Sequence, residues 1–83
     1  MNAKEMFEEL GYEQIINNDS LIEYKDYSHG DGDYAYVSFI RMWKEYEVGY
    51  YDDYENKRRE PTVVSIEEHK AITQQMKELG WIK

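Results

Sequence analysis

Between Tyr34 and Tyr54 the chain reads YAYVSFIRMWKEYEVGYYDDY, a stretch that holds eight of its thirteen aromatic residues (two Phe, two Trp and nine Tyr in all). A period of two governs it. From Tyr34 to Arg41, Ala35, Val37 and Phe39 fall on one side of an extended chain, and Tyr34, Tyr36 and Ser38 on the other. From Tyr46 to Tyr51 the pattern returns, with Val48 between Tyr46 and Tyr50 on the inner side and a polar turn in between. Aromatic and β-branched residues in strict alternation suit a pleated, half-buried surface. The stretch therefore predicts two paired strands, to which the rest of the chain must supply neighbours and cover.

Neighbours are available upstream. Leu21 to Tyr27 alternates Ile22 and Tyr24 with Glu23 and Lys25, and Tyr12 to Ile16 is a short strand closed by the turn formers Asn17-Asn18-Asp19-Ser20. Ser28 to Asp33, SHGDGD, reads as a loop, and Asp52 to Pro61, DDYENKRREP, as an exposed connection. Connections this short imply antiparallel hairpins.

Cover comes from the two ends. Asn2 and Glu5 have capping-box spacing, and Ala3, Met6, Phe7 and Leu10 gather on one helical face. Ser65 and Glu68 repeat the box, and His69, Ile72, Met76 and Leu79, at spacings of three, four and three, give the buried stripe of a second helix. The stops match as well: Glu9-Leu10-Gly11-Tyr12 and Glu78-Leu79-Gly80-Trp81 each place glycine where a left-handed residue ends a helix, with an aromatic to fold back on the last turn. Helix-stop chemistry explains this echo without an internal duplication.

The expectation is a single α+β domain over residues 1–83. It has a three- to four-stranded antiparallel meander with the N- and C-terminal helices on one face, in the order α-β-β-β(-β)-α. Its inner set is Met6, Phe7, Leu10, Ile22, Tyr24, Val37, Phe39, Val48, Ile72, Met76, Leu79 and Trp81. The outer face is expected to carry Glu23, Lys25, Tyr27, Tyr34, Tyr36, Glu47 and Tyr51. A chain of 83 residues has room for one core and a stability of roughly 4–12 kcal/mol.

Charge bounds the function. Eighteen acids against ten bases leave −8, which repels nucleic-acid phosphates and anionic membrane surfaces and favours a basic protein partner. With no cysteine there is neither a disulfide framework nor a thiolate metal site. No apolar run reaches the ~20 residues of a membrane span, and the first residues lack the layout of a secretory signal, so a cytoplasmic protein is expected.

Chemistry-bearing motifs are sparse. His29 to Asp33 places an imidazole and two carboxylates in five residues, yet counting from Asp31 the fifth and twelfth positions of a calcium loop are Ala35 and Met42, so no metal site is expected. His69 has no orienting partner in sequence and reads as a half-buried packing residue; no nucleophile motif or phosphate loop occurs, so no cofactor and no catalysis are expected. Lys57-Arg58-Arg59 is flanked by Glu55 and Glu60 and reads as a charge-balanced loop.

The outer tyrosines remain. Tyrosine gives contact area at low entropic cost and is frequent among interface hot spots, so Tyr27, Tyr34, Tyr36 and Tyr51 form the expected surface for a protein partner. Replacing Tyr34 and Tyr36 by serine is expected to leave folding intact. RNA stacking would need more cations than Lys25 supplies. The competing reading is an acidic inhibitor that mimics DNA toward a nucleic-acid-binding enzyme, with Glu5, Glu8, Glu9, Asp52, Asp53 and Glu55 as its carboxylates. The sequence carries no signal for oligomeric state.

Two segments add a resemblance. Met6-Phe7-Glu8-Glu9-Leu10-Gly11-Tyr12 and Ser65 through Trp81, SIEEHKAITQQMKELGW, resemble the ends of small uncharacterised proteins encoded in prophages and mobile elements of Gram-positive bacteria. The resemblance implies a cytoplasmic protein of a bacterial host with a phage accessory or host-modulating role. It assigns no residue a function.

Overall fold

A computed structural model describes every residue except His29, Asp31, Tyr54, Glu60, Pro61 and Thr62, and the backbone alone of Lys57 to Arg59. Its elements are α1 (Ala3–Glu9), β1 (Glu13–Asn17), β2 (Leu21–Asp26), β3 (Tyr34–Ile40), β4 (Glu45–Asp52), β5 (Lys57–Arg59) and α2 (Ile66–Glu78). The strands form one antiparallel sheet in sequential order, β1-β2-β3-β4-β5. The α+β meander between two helices is thus the architecture the alternation implies. β5 adds a short edge strand in the segment expected to be an exposed connection.

Both helices begin and end as the sequence dictates. Asn2 Oδ1 accepts the Glu5 N–H at 2.8 Å while the Glu5 carboxylate accepts that of Asn2 at 3.0 Å; Ser65 and Glu68 do the same at 3.0 Å each way. At the other ends, Gly11 and Gly80 take φ of +97° and +77°. Tyr12 then donates its N–H to Phe7 O at 3.0 Å, and Trp81 to Met76 O at 2.9 Å, the six-to-one bond that satisfies a carbonyl left over in the last turn.

The helices lie antiparallel over the inner face of the sheet. Ala3 N–H bonds Glu78 Oε2 at 2.7 Å, tying the start of α1 to the end of α2, and Tyr12 donates to Glu68 Oε2 at 2.7 Å where α1 ends and α2 begins. Beneath them, Phe7 stacks on Tyr24 (centroids 4.0 Å apart, 20° between planes), and Phe39 meets both rings edge-on at 6.3 Å. Ile22, Val37, Tyr12, Ala71 and Ile72 complete the buried cluster, with Met6, Leu10, Val48, Met76, Leu79 and Trp81 packed partly buried against it.

One side-chain network crosses this core. Tyr24 is fully buried, and its hydroxyl donates to Gln75 Oε1 at 2.5 Å while accepting from Gln14 Nε2 at 3.1 Å. Gln75 is itself buried, so the pair satisfy each other rather than leaving either to bear desolvation alone. Here α2 departs from expectation. Its buried stripe runs through Ala71, Ile72 and Gln75, rotated by most of one residue from a stripe through His69 and Met76. His69 is consequently exposed, not half-buried.

Asp52 departs too. Expected in an exposed connection, it closes β4 with 2% of its surface accessible, and its Oδ1 accepts the Glu55 N–H at 3.3 Å.

Candidate functional site

The helices cover one face of the sheet and leave the opposite face open among the described residues. Antiparallel register decides which side chains meet there. Lys25 lies opposite Tyr36, which lies opposite Gly49; Glu23 lies opposite Ser38, which lies opposite Glu47; and Tyr34 lies opposite Tyr51. Because β-strand side chains alternate, these all project to the same side.

The aromatic residues form an ordered row. Tyr34 stacks on Tyr51 with centroids 5.1 Å apart and 18° between planes, and Tyr27 approaches Tyr34 from the other side at 5.4 Å and 57°. Tyr51 donates its hydroxyl to Asn56, which fixes that ring from the loop before β5. Lys25 places Nζ 4.4 Å above the Tyr34 ring and 3.5 Å from Glu23 Oε1. Partial burial works against the lysine charge, but the Tyr34 and Tyr27 hydroxyls and the Glu23 carboxylate together outweigh it and hold its pKa above the usual value. Tyr27 is 49% exposed, and Tyr34 and Tyr51 are partly so.

Tyr36 belongs to the scaffold instead. It is only 7% exposed, its hydroxyl donates to Glu47 Oε1 at 2.8 Å, and its ring lies flat across Gly49. A Cβ at Gly49 would stand 2.6 Å from Tyr36 Cε1 and closer still to the hydroxyl. Glycine is required there by close approach. The expectation that Tyr36→Ser spares folding is therefore withdrawn: that change would uncover the glycine and remove a hydrogen-bond donor to Glu47. Gly49→Ala is expected to cost about 1–3 kcal/mol by overpacking. In a Tyr36→Ala background the same alanine should cost nothing or stabilise, since strand glycine is otherwise unfavourable. Equal losses of urea midpoint in both backgrounds would refute the ring-on-glycine account.

Other sequence candidates are distributed differently. His29 and Asp31 lie outside the described residues, and among those described no group of three or more His, Asp or Glu could hold a metal ion. Of the acids in the DNA-mimic reading, Asp52 is buried; Glu5 is exposed with its carboxylate in the α1 capping box, and Glu8, Glu9, Asp53 and Glu55 are also exposed. Among the described residues no helix is long and apolar enough to cross a membrane.

A second surface went unmarked in the sequence. The turn between β3 and β4, expected to be polar, exposes Met42 (81%) and Trp43 (66%). Its signal was an unaccompanied Met-Trp pair outside any alternation.

Comparison with protein-family models, with curated proteins and with solved structures returns no match.

Proposed function

We propose that the chain is a non-enzymatic protein-interaction module whose contact surface is the outer sheet face around Tyr27, Tyr34 and Tyr51. The observation that carries this reading is that both helices cover one face, while the other holds a row of rings already locked by stacking and by Lys25 and Asn56. Rings ordered before contact lose little side-chain entropy on binding, which is the economy that makes tyrosine effective at interfaces. Net charge of −8 favours a basic partner and disfavours nucleic acid. A phage-type accessory role in a bacterial cytoplasm is part of the proposal and rests on the resemblance of the two terminal segments.

The test uses Tyr27→Ser and Tyr51→Ser, singly and together, with Tyr36 untouched. Circular dichroism should remain that of the wild-type chain. Capture of the partner from a bacterial lysate should fall by about tenfold or more, the loss of a residue worth over ~1.4 kcal/mol. Undiminished capture by the folded double variant would overturn the assignment of this face. Capture that instead competes with DNA and vanishes on reversing Glu8 and Glu9 would favour the acidic inhibitor.

A further inference from the structure

The geometry points to a second contact surface, the end of the sheet carrying Met42 and Trp43, through which the chain pairs with another copy of itself about a two-fold axis. This surface is separate from the tyrosine row. Tyr34 and Ile40 bound the seven-residue β3, so the two lie roughly 20 Å apart at ~3.3 Å per residue.

The turn is held rigidly. Arg41 donates its backbone N–H to Ser20 O at 3.0 Å, Nε to Asn18 O at 2.7 Å and Nη2 to Asn17 Oδ1 at 3.0 Å, which bolts the tip of one hairpin to that of the next. Lys44 sits at φ +52°, a left-handed conformation that a residue with a Cβ adopts at some cost. The backbone on either side of Met42 and Trp43 is thus anchored, and both side chains stand exposed.

The topology brings more apolar surface to the same end. Tyr46 (45% exposed) follows the turn on β4 and meets Phe39, which in turn meets Trp81 after α2, and Ile82 (41%) comes next. Met1 (67%) precedes α1, whose first N–H is bonded to Glu78 at the end of α2. Five of the ten large hydrophobic side chains exposed among the described residues therefore share one end of the molecule. Apolar residues gathered in this way mark interaction sites, and tryptophan is among the residues enriched as interface anchors.

Charge identifies the occupant. Arg41 and Lys44 of the turn and Glu45, which opens β4, sum to a single positive charge in a chain that elsewhere carries a large acidic excess. Two copies repel through the rest of their surfaces and approach most easily here. Lys44 and Glu45 are adjacent and form no ion pair among the described residues. In a two-fold contact each faces its opposite on the other copy, twice over, flanking the paired Trp43 side chains. A uniformly basic or acidic partner would meet one unfavourable charge in that pair.

Sedimentation equilibrium of the wild-type chain from about 1 μM to 1 mM reads this directly. A monomer–dimer equilibrium is expected, with Trp43→Ser weakening it at least about tenfold at unchanged circular dichroism. Lys44→Glu and Glu45→Lys should each weaken it, and the exchanged pair Lys44→Glu/Glu45→Lys should restore it. A chain monomeric throughout, a dimer indifferent to Trp43→Ser, or singles that weaken without restoration in the exchange would each overturn the proposal. So would a monomer that floats with phosphatidylcholine vesicles through Trp43, which would assign the tip to a lipid surface.

Discussion

Replacing Phe7 with alanine will remove about 3–5 kcal/mol, a large part of the roughly 4–12 kcal/mol available to a domain of this size. Phe7 has no accessible surface and is where the two layers meet: it stacks on Tyr24 of β2, meets Phe39 of β3 and is met edge-on by Tyr12 at 5.6 Å. Truncation leaves a cavity bounded by three rings, two of which are held in place by their own hydrogen bonds. Tyr12 is fastened to Glu68 and Tyr24 to Gln75, so neither can move in to fill the space. The measurement is the urea midpoint of the variant. A loss under about 1 kcal/mol would mean that the core collapses freely and that these bonds do not hold the rings.

Alkaline pH should unfold the protein through the same two tyrosines. Burial raises the Tyr12 phenol above its usual 10.0, reinforced by its hydrogen bond to the Glu68 carboxylate. Burial likewise raises Tyr24, with the Gln14 donor pulling the other way. Below pH 10 neither state is ionised and the stability is intact. Above it the unfolded chain releases protons that the folded one retains, so stability falls as pH rises, by up to about 1.4 kcal/mol per pH unit for each tyrosine. Urea midpoints between about pH 9 and 11.5 should decline accordingly, and Tyr12→Phe should reduce the slope by about half. A slope that Tyr12→Phe leaves unaltered would assign the effect to general repulsion in an acidic chain instead.

How far the sequence discloses this molecule depends on the chemistry of each position. The caps, stops and alternation of Ile22, Tyr24, Val37 and Phe39 are local rules, and each is met in the structure. The buried stripe of α2 was displaced toward His69 because its true centre includes Gln75, a polar residue that becomes a core residue only when Tyr24 faces it. β5 has no signature in the sequence because three cationic residues in a row show no apolar alternation. The role of Tyr36 was hidden for a related reason. Alternation gives its face, but its burial comes from Gly49 thirteen residues away, where the absence of a side chain makes the room. Of the candidate surface, the ring positions were legible, while the stacking of Tyr34 on Tyr51 depended on the register of β3 against β4.

Sequential strand order has a consequence for how the chain is made. Every pairing in the sheet joins neighbours in sequence, so β1 to β5 can assemble hairpin by hairpin as they leave the ribosome. The closing contacts have the opposite character: Tyr12 and Glu68 are 56 residues apart, and Ala3 and Glu78 are 75 apart. A nascent chain that has completed its sheet still shows Tyr24, Val37 and Phe39 half roofed, with Ala71 and Ile72 yet to arrive. The later of the two helices is the one that shuts the core, and until it docks the hazard is aggregation through the very face on which the folded protein depends.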